Sequence, residues 1–451
     1  MRKKVSLSLI LLSILFFIYI FYKSEIVWEG SNRNYYFPYY LIFILLLGLS
    51  ITIFFINLDK EKIKYLTIIS ISTLASLYLV EAYLLFNEKI YNNKEKIYQN
   101  ELKIKSEMYQ KKFGKKYDQR TKLEFYDHIR KKNKNIAMNT FPSLYLKNKS
   151  KIFPFSGISN SKTITCNENG YYAIFDSDRY GFNNPDSEWN KKNIQYLLVG
   201  DSFTLGACVN RPFDVASILR KLSNGSVLNL GYSANGPLIE YATMREYVSP
   251  NVENIIWMYY EGNDLDDLKN ELQSKILLKY LNNQNFSQNL KNNQKKIDLM
   301  SKKMINDSKQ IYLTDKKVNF NIFNFIKLSK LRGALNHFLP KENQPKKKFF
   351  HQEELKKVLK LAKQFSLRNN SEFYFVYLPE YKRFKTNYNN SNYNLIKKIT
   401  HELEIEFIDT HKLIFKKENN PLDLFPFKLS GHYTDGGYRK IAELIYALTK
   451  N

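Results

Sequence analysis

A nucleophile, a base and a set of hydrogen-bond donors are spelled out in four short stretches of the chain. "GDSFTLG", Gly200 to Gly206, puts Ser202 directly after an aspartate at the end of an apolar run. "NLGYSANGP" runs from Asn229 to Pro237, "YYEGNDLDDL" from Tyr259 to Leu268, and "LSGHYTDGGY" from Leu429 to Tyr438. A serine hydroxyl is a poor nucleophile until a base takes its proton, and histidine suits that task near neutral pH. Attack on an ester creates an oxyanion, which needs preorganised donors. Backbone N–H groups after Gly200 and in the Ser233–Gly236 turn can supply them, with the Asn263 side-chain amide as a third. Each piece also has an ordinary reading. Asn263-Asp264 can cap a helix, and His432 can be a surface loop residue.

Stretches so far apart need a scaffold that brings them to one rim. "IQYLLVG", "SVLNLG", "NIIWMYY", "EFYFVYLP" and "IEFIDTH" read as strands. Between and after them, "PFDVASILRKL", "PLIEYATMREYV", "EELKKVLKLAKQF", "YNLIKKITHEL" and "GGYRKIAELIYALT" read as helices. That alternation predicts a parallel sheet flanked by helices. In open sheets of this kind ligands bind at the carboxyl ends of the strands. The domain is expected over 193–448, with a Lys/Asn-rich helical insertion at about 269–348.

With these blocks in this order, the chain resembles the SGNH, or GDSL, hydrolase superfamily from about Ile194 to Leu448, the insertion aside. The resemblance implies an α/β, flavodoxin-like three-layer domain. It implies Ser202 as nucleophile, His432 as base and an oxyanion hole from Ser202, Ala234 and Asn263, with Asp201, Gly236 and Asp264 in support. Two departures stand out. The second block of the family supplies a glycine donor, where this chain has Ala234, whose N–H serves if its backbone angles are ordinary. The family also places an aspartate three residues before the histidine, where this chain has Leu429. Asp423 and Asp435 lack that spacing. We therefore expect a Ser202–His432 dyad oriented by a backbone carbonyl or by a carboxylate from another segment. His411, in "IDTH" at a strand end, is a competing base. The segment "FSGISNSKTITCNENGYYAIFDSDRYGFNNPD" also resembles the leader before the catalytic block in membrane-linked bacterial members.

Ahead of all this lie three apolar segments, Val5–Tyr22, Tyr36–Ile56 and Tyr65–Phe86. Each is near the roughly 17–25 residues that cross a bilayer. "MRKK" before an apolar run also opens signal peptides, but no small-residue cleavage site follows. Arg2, Lys3 and Lys4, with Lys60, Lys62 and Lys64 in a later loop, belong on the cytoplasmic side by the positive-inside rule. Residues 1–86 thus predict three transmembrane helices of a multi-pass protein in a bacterial cytoplasmic membrane. Residues 87–192, a charged stalk and a β-containing leader, and the catalytic domain would then lie on the periplasmic side. Glu81, inside the third segment, is either a functional intramembrane carboxylate or an interfacial one.

The two cysteines, Cys166 and Cys208, are a disulfide candidate outside the cytoplasm. The net charge of +26 comes without zinc-finger spacing or RNA-binding aromatics. It therefore suits anionic glycan or lipid headgroups rather than nucleic acid. No metal or organic cofactor is expected: the histidines lack zinc-ligand spacing and no phosphate-binding glycine loop is present. Together these features predict a membrane-anchored serine esterase or acyltransferase acting on O-acyl (acetyl) esters, with an envelope polysaccharide as preferred substrate. A lipid esterase or lysophospholipase is the alternative enzyme, with "FNFIKLSKLRGALNHF" lying on lipid. A catalytically inactive glycan-binding or scaffold protein is the alternative of another class.

Overall fold

The computed structural model describes residues 2–450, apart from 28–29, 31–32, 56–59, 92, 147–149, 249–250, 316–321, 339–350 and 386–387. It divides into two compact units, Met1–Asn92 with Phe320–Lys341, and Asn93–Asn319 with Glu342–Asn451.

The amino-terminal unit holds helices α1 (Arg2–Phe21), α2 (Arg33–Phe55) and α3 (Lys60–Tyr91). Among the described residues one helical run, Ser6–Val27, is long and apolar enough to cross a membrane. The apolar runs Tyr39–Thr52 and Ile71–Phe86 are shorter, so the three expected spans reduce to one by length and composition.

Part of the expected insertion belongs to this unit, as helices Ile322–Ile326 and Ser329–Phe338. Buried Glu81 accepts the backbone N–H groups of Lys330 and Leu331 at 3.0 and 2.7 Å. A carboxylate there satisfies donors that the first turn of a helix leaves without partners. Glu81 is thus a capping group inside the unit. Residues 339–348 of the insertion lie outside the described residues.

The second unit begins with α4 (Asn93–Phe113) and the small sheet β1 (Ile136–Met138), β2 (Lys162–Ile164) and β3 (Ile174–Asp176), which forms the leader. The main sheet is β4 (Ile194–Gly200), β5 (Val227–Asn229), β6 (Val252–Tyr260), β7 (Glu372–Leu378) and β8 (Glu406–Asp409). Its order is β5-β4-β6-β7-β8 and every pairing is parallel. Counted within the sheet this is 2-1-3-4-5, the flavodoxin-like doubly wound order, as expected.

Because successive strand residues point to opposite faces, each central strand feeds two cores. Leu197, Val199, Ile255 and Trp257 pack on one face, and Tyr196, Leu198, Ile256 and Met258 on the other. Helices α5 (Val215–Ser223) and α12 (Asp435–Thr449) cover the second face. The first is covered by α6 (Pro237–Tyr247), α10 (Gln352–Arg368) and α11 (Ser391–Glu402).

Helices α7 (Asp264–Glu271), α8 (Lys275–Asn282) and α9 (Gln294–Asp315) follow β6. Leu277, Tyr280 and Leu281 of α8 and Ile297 of α9 join the first-face core. The early part of the expected insertion is therefore core of this unit.

Candidate active site

Ser202 stands at the carboxyl end of β4, where the chain turns sharply. A Cβ at Gly200 would meet Thr204 Oγ1 at 2.1 Å and the Met258 carbonyl oxygen at 2.6 Å, so only glycine fits there. Asp201 is buried and accepts the Phe203 N–H at 2.8 Å, capping the turn that presents Ser202. Burial pushes its carboxyl up to about 7, against the Phe203 hydrogen bond and the His432 charge. Ser202 itself stays partly exposed.

His432 arrives from the segment before α12. Its Nε2 lies 2.9 Å from Ser202 Oγ, inside the range for proton transfer. The Phe203 ring packs against the imidazole at 4.6 Å between centroids. The other ring nitrogen, Nδ1, faces Glu168 Oε1 at 3.1 Å, and Glu168 Oε2 accepts the His432 backbone N–H at 2.5 Å. The close approach needs Gly431, where a Cβ would sit 2.6 Å from Glu168 Oε2.

Glu168 belongs to the leader, and three ties hold it in place. Cys166 and Cys208 form a disulfide with Cα atoms 4.9 Å apart. Asn169 Nδ2 donates to the Cys208 carbonyl at 2.9 Å, and Asn167 Nδ2 to the Asp118 carbonyl at 2.6 Å. The reading from sequence allowed for a carboxylate from another segment but did not name Glu168. A signal was present: Glu168 lies two residues after Cys166, and the expected bridge carries that cysteine to Cys208, six residues after Ser202.

The two groups shift each other. Burial lowers the His432 pKa, but the Glu168 charge and hydrogen bond raise it more, leaving it above the ordinary histidine value. Burial raises Glu168, but the His432 charge and hydrogen bonds hold it below the usual carboxylate range. Both directions mark an ion pair. Cys166, Cys208 and His432 are close enough to share a metal, but the two sulfurs are bonded to each other.

The expected oxyanion donors are placed less simply. Ala234 has φ +59°, a left-handed angle, and so not the ordinary backbone on which its donor role was conditional. Alanine here occupies a conformation that suits glycine. The Gly236 N–H is already given to Glu271 Oε1 at 2.6 Å. Asn263 stands at the N-cap position of α7 without a side-chain cap bond, and its Nδ2 donates to Asp267 Oδ2 at 2.7 Å. An amide nitrogen carries two hydrogens, so a second remains. Asp264 is buried and accepts the Tyr260 N–H at 2.8 Å. Burial, with Glu240 and Asp201 nearby, pushes it well above the carboxylate range.

The competing histidine is a core residue. His411 is buried against Phe384 and Tyr393, with ring centroids 5.8 and 5.7 Å away, and burial pushes it down to about 4. Asp423 pairs with Lys428 at 2.7 Å, and Asp435 opens α12. Ser202, His432 and Glu168 are thus joined by direct contacts, while Ala234 and Asn263 make no hydrogen bond to Ser202 among the described residues.

No protein-family model matches the chain, and no curated protein does. Among solved structures the chain is similar to a protein from Desulfitobacterium hafniense DCB-2 assigned to the lipolytic G-D-S-L family. That match has 14% identity over 57% of this chain and 99% of the other, with a TM-score of 0.32. It is also similar to an acetyl xylan esterase, AlAXEase, at 14% identity over 56% of this chain and 99% of that one, with a TM-score of 0.31.

Proposed function

We propose that the chain is an SGNH-type serine esterase or acyltransferase acting on O-acyl esters outside the cytoplasmic membrane, with an envelope polysaccharide as substrate. One observation carries the reading: Ser202 Oγ lies 2.9 Å from His432 Nε2 while Nδ1 of the same ring faces Glu168. Glu168 accepts the Nδ1 hydrogen and so leaves the Nε2 lone pair for the serine proton. Ser202 Oγ bonds to the acyl carbon, its proton passes to Nε2, and Glu168 stabilises the imidazolium. The Ser202 N–H and the Asn263 amide are assigned to the oxyanion, and the Ala234 N–H is kept as a third donor because a left-handed angle leaves that N–H in place. Collapse expels the sugar oxygen, which takes the Nε2 proton and leaves acyl-Ser202. Water then gives a hydrolase, or a second sugar hydroxyl a transferase.

The location rests on Ser6–Val27 and on Arg2, Lys3 and Lys4 ahead of it. A single crossing with the amino terminus inside leaves the catalytic unit on the outer side. The disulfide fits an oxidising compartment.

A fluorophosphonate probe on the detergent-solubilised full chain tests the reading. Labelling that Ser202→Ala abolishes supports it. A folded parent chain that takes no label overturns it in favour of an inactive glycan-binding protein. Turnover of acetylated glycan against lysophospholipid then decides the substrate class.

A further inference from the structure

A cavity of about 790 Å³ opens beside the catalytic loops, a size in the range of ligand pockets, about 300–1,000 Å³. Its walls come from the end of α4, the leader loop and the segment from 423 to 436, all in one unit. Asn169 and Thr434, which line it, follow Glu168 by one residue and His432 by two. The cavity therefore abuts the loops that carry the base and its carboxylate.

Five aromatic side chains, Tyr109, Phe113, Tyr171, Phe425 and Phe427, give it apolar surface. Neither tyrosine hydroxyl has a hydrogen bond among the described residues. Lys111, Lys112 and Lys428 also line it. Two carboxylates, Asp423 and Asp435, stand against these cations. Asp423 is engaged by Lys428 at 2.7 Å, which leaves exposed Lys111 and Lys112 facing Asp435 alone, so a positive charge is left over.

One wall of the cavity is also strained. Phe427 and Lys428 are consecutive non-glycine residues in the left-handed region, at φ +54° and +58°. The Phe427 ring is held against Tyr109 and Tyr117, with centroids 6.4 and 6.3 Å away. Strain of this kind clusters at ligand clamps, where the surroundings hold it in place.

We infer that this cavity is a subsite for an anionic saccharide segment of the substrate, its ring faces lying on the aromatic side chains and its acid groups on Lys111 and Lys112. The inference rests on the proposed esterase reading and adds to it a substrate charge and a place of binding. Apolar ring faces with edge acids match flat aromatic walls beside ammonium groups. The chain's net charge of +26 favours such polyanions over neutral glycans.

The test is calorimetric titration of the full Ser202→Ala chain in detergent, with polygalacturonate oligomers as the anionic probe and xylo-oligomers as the neutral one. The anionic oligomer should bind, more weakly at raised salt. Lys111→Ala/Lys112→Ala should weaken binding at least about fivefold without moving the thermal midpoint, and Phe427→Ala should weaken it independently. No binding by the parent, equal binding by the double variant, or equal affinity for the neutral oligomer overturns the inference. So does binding confined to phosphatidylglycerol vesicles. Oligomer binding by the Ser202→Ala chain, with no fluorophosphonate label on the folded chain that keeps Ser202, would sink the esterase reading and leave the subsite standing. Labelling with unchanged binding in the double variant would do the reverse.

Discussion

Glu168 and His432 meet twice across 264 residues of chain, once at the imidazole Nδ1 and once at the histidine's own backbone N–H. A carboxylate that grips both atoms fixes the ring's tautomer and the path of the loop together. Leu429 occupies the position from which an aspartate would act in the family, and the leader supplies the charge instead.

Replacing that carboxylate with its amide should therefore separate chemistry from binding. Glu168→Gln can turn its NH2 group to Nδ1 and favour the wrong tautomer. We expect kcat on a small acetate ester to fall about 10²–10⁴-fold, the usual span for lost acid–base assistance, with KM little changed. Leu429→Asp in the parent should leave activity unchanged, because Nδ1 is already engaged. A Glu168→Gln enzyme within about threefold of the parent would show that the contact does not orient the base.

The pH profile follows from the same pair. The base must be neutral, and its pKa lies above the ordinary 6.5, so the acid limb of kcat/KM should fall above that value. Removing the Glu168 charge should move the limb to lower pH. Stability has two edges. His432, raised on folding, contributes fully below 6.5 and loses its contribution as pH rises through the raised value. Glu168, lowered on folding from 4.5, contributes above that value and loses its contribution as pH falls through the lowered one. An acid limb that stays put in Glu168→Gln would contradict the pairing.

The parallel sheet was legible because it depends on local pattern, and the pairing of Ser202 with His432 followed from the resemblance carried by their two motifs. Buried strands such as "IQYLLVG" are continuous apolar runs, and parallel strands end where the motifs sit. Glu168 was marked only indirectly, by its place two residues after a cysteine expected to bridge to Cys208, because its role arises from that disulfide and from a loop packed on it. The insertion misled for a related reason. Lys/Asn-rich composition hides Leu277, Tyr280 and Leu281, which recur at helical spacing and enter the core.

Reduction of Cys166–Cys208 should cost activity before it costs the fold. The bridge spans 42 residues of sequence, for which loop-closure entropy gives about 4 kcal/mol. It also anchors Glu168 two residues away. Cys166→Ser/Cys208→Ser, or treatment with a dithiol, should lower kcat at temperatures well below unfolding, with a pH limb shifted as in Glu168→Gln. The double variant should not respond further to the dithiol. Full activity in a reduced, folded chain would show that the other ties suffice.

Ala234 offers a test in which magnitude decides sign. At φ +59° an L-residue bears about 1–2 kcal/mol of steric cost that glycine avoids. Glycine in turn gives the unfolded chain more freedom, worth about 0.4–1 kcal/mol against folding. The first effect is the larger, so Ala234→Gly should stabilise by up to about 1 kcal/mol, read as a raised denaturation midpoint with unchanged slope. The backbone N–H is the same in both residues, so a donor role at this position would keep kcat within about twofold of the parent. Ala234→Pro removes that N–H, and if the position serves the oxyanion it should lower kcat about 10²-fold or more. Because proline also forbids the left-handed angle, the variant counts only if its midpoint shows a folded chain. A folded Ala234→Pro enzyme with full turnover would remove Ala234 from the oxyanion hole and leave Ser202 and Asn263 as its donors.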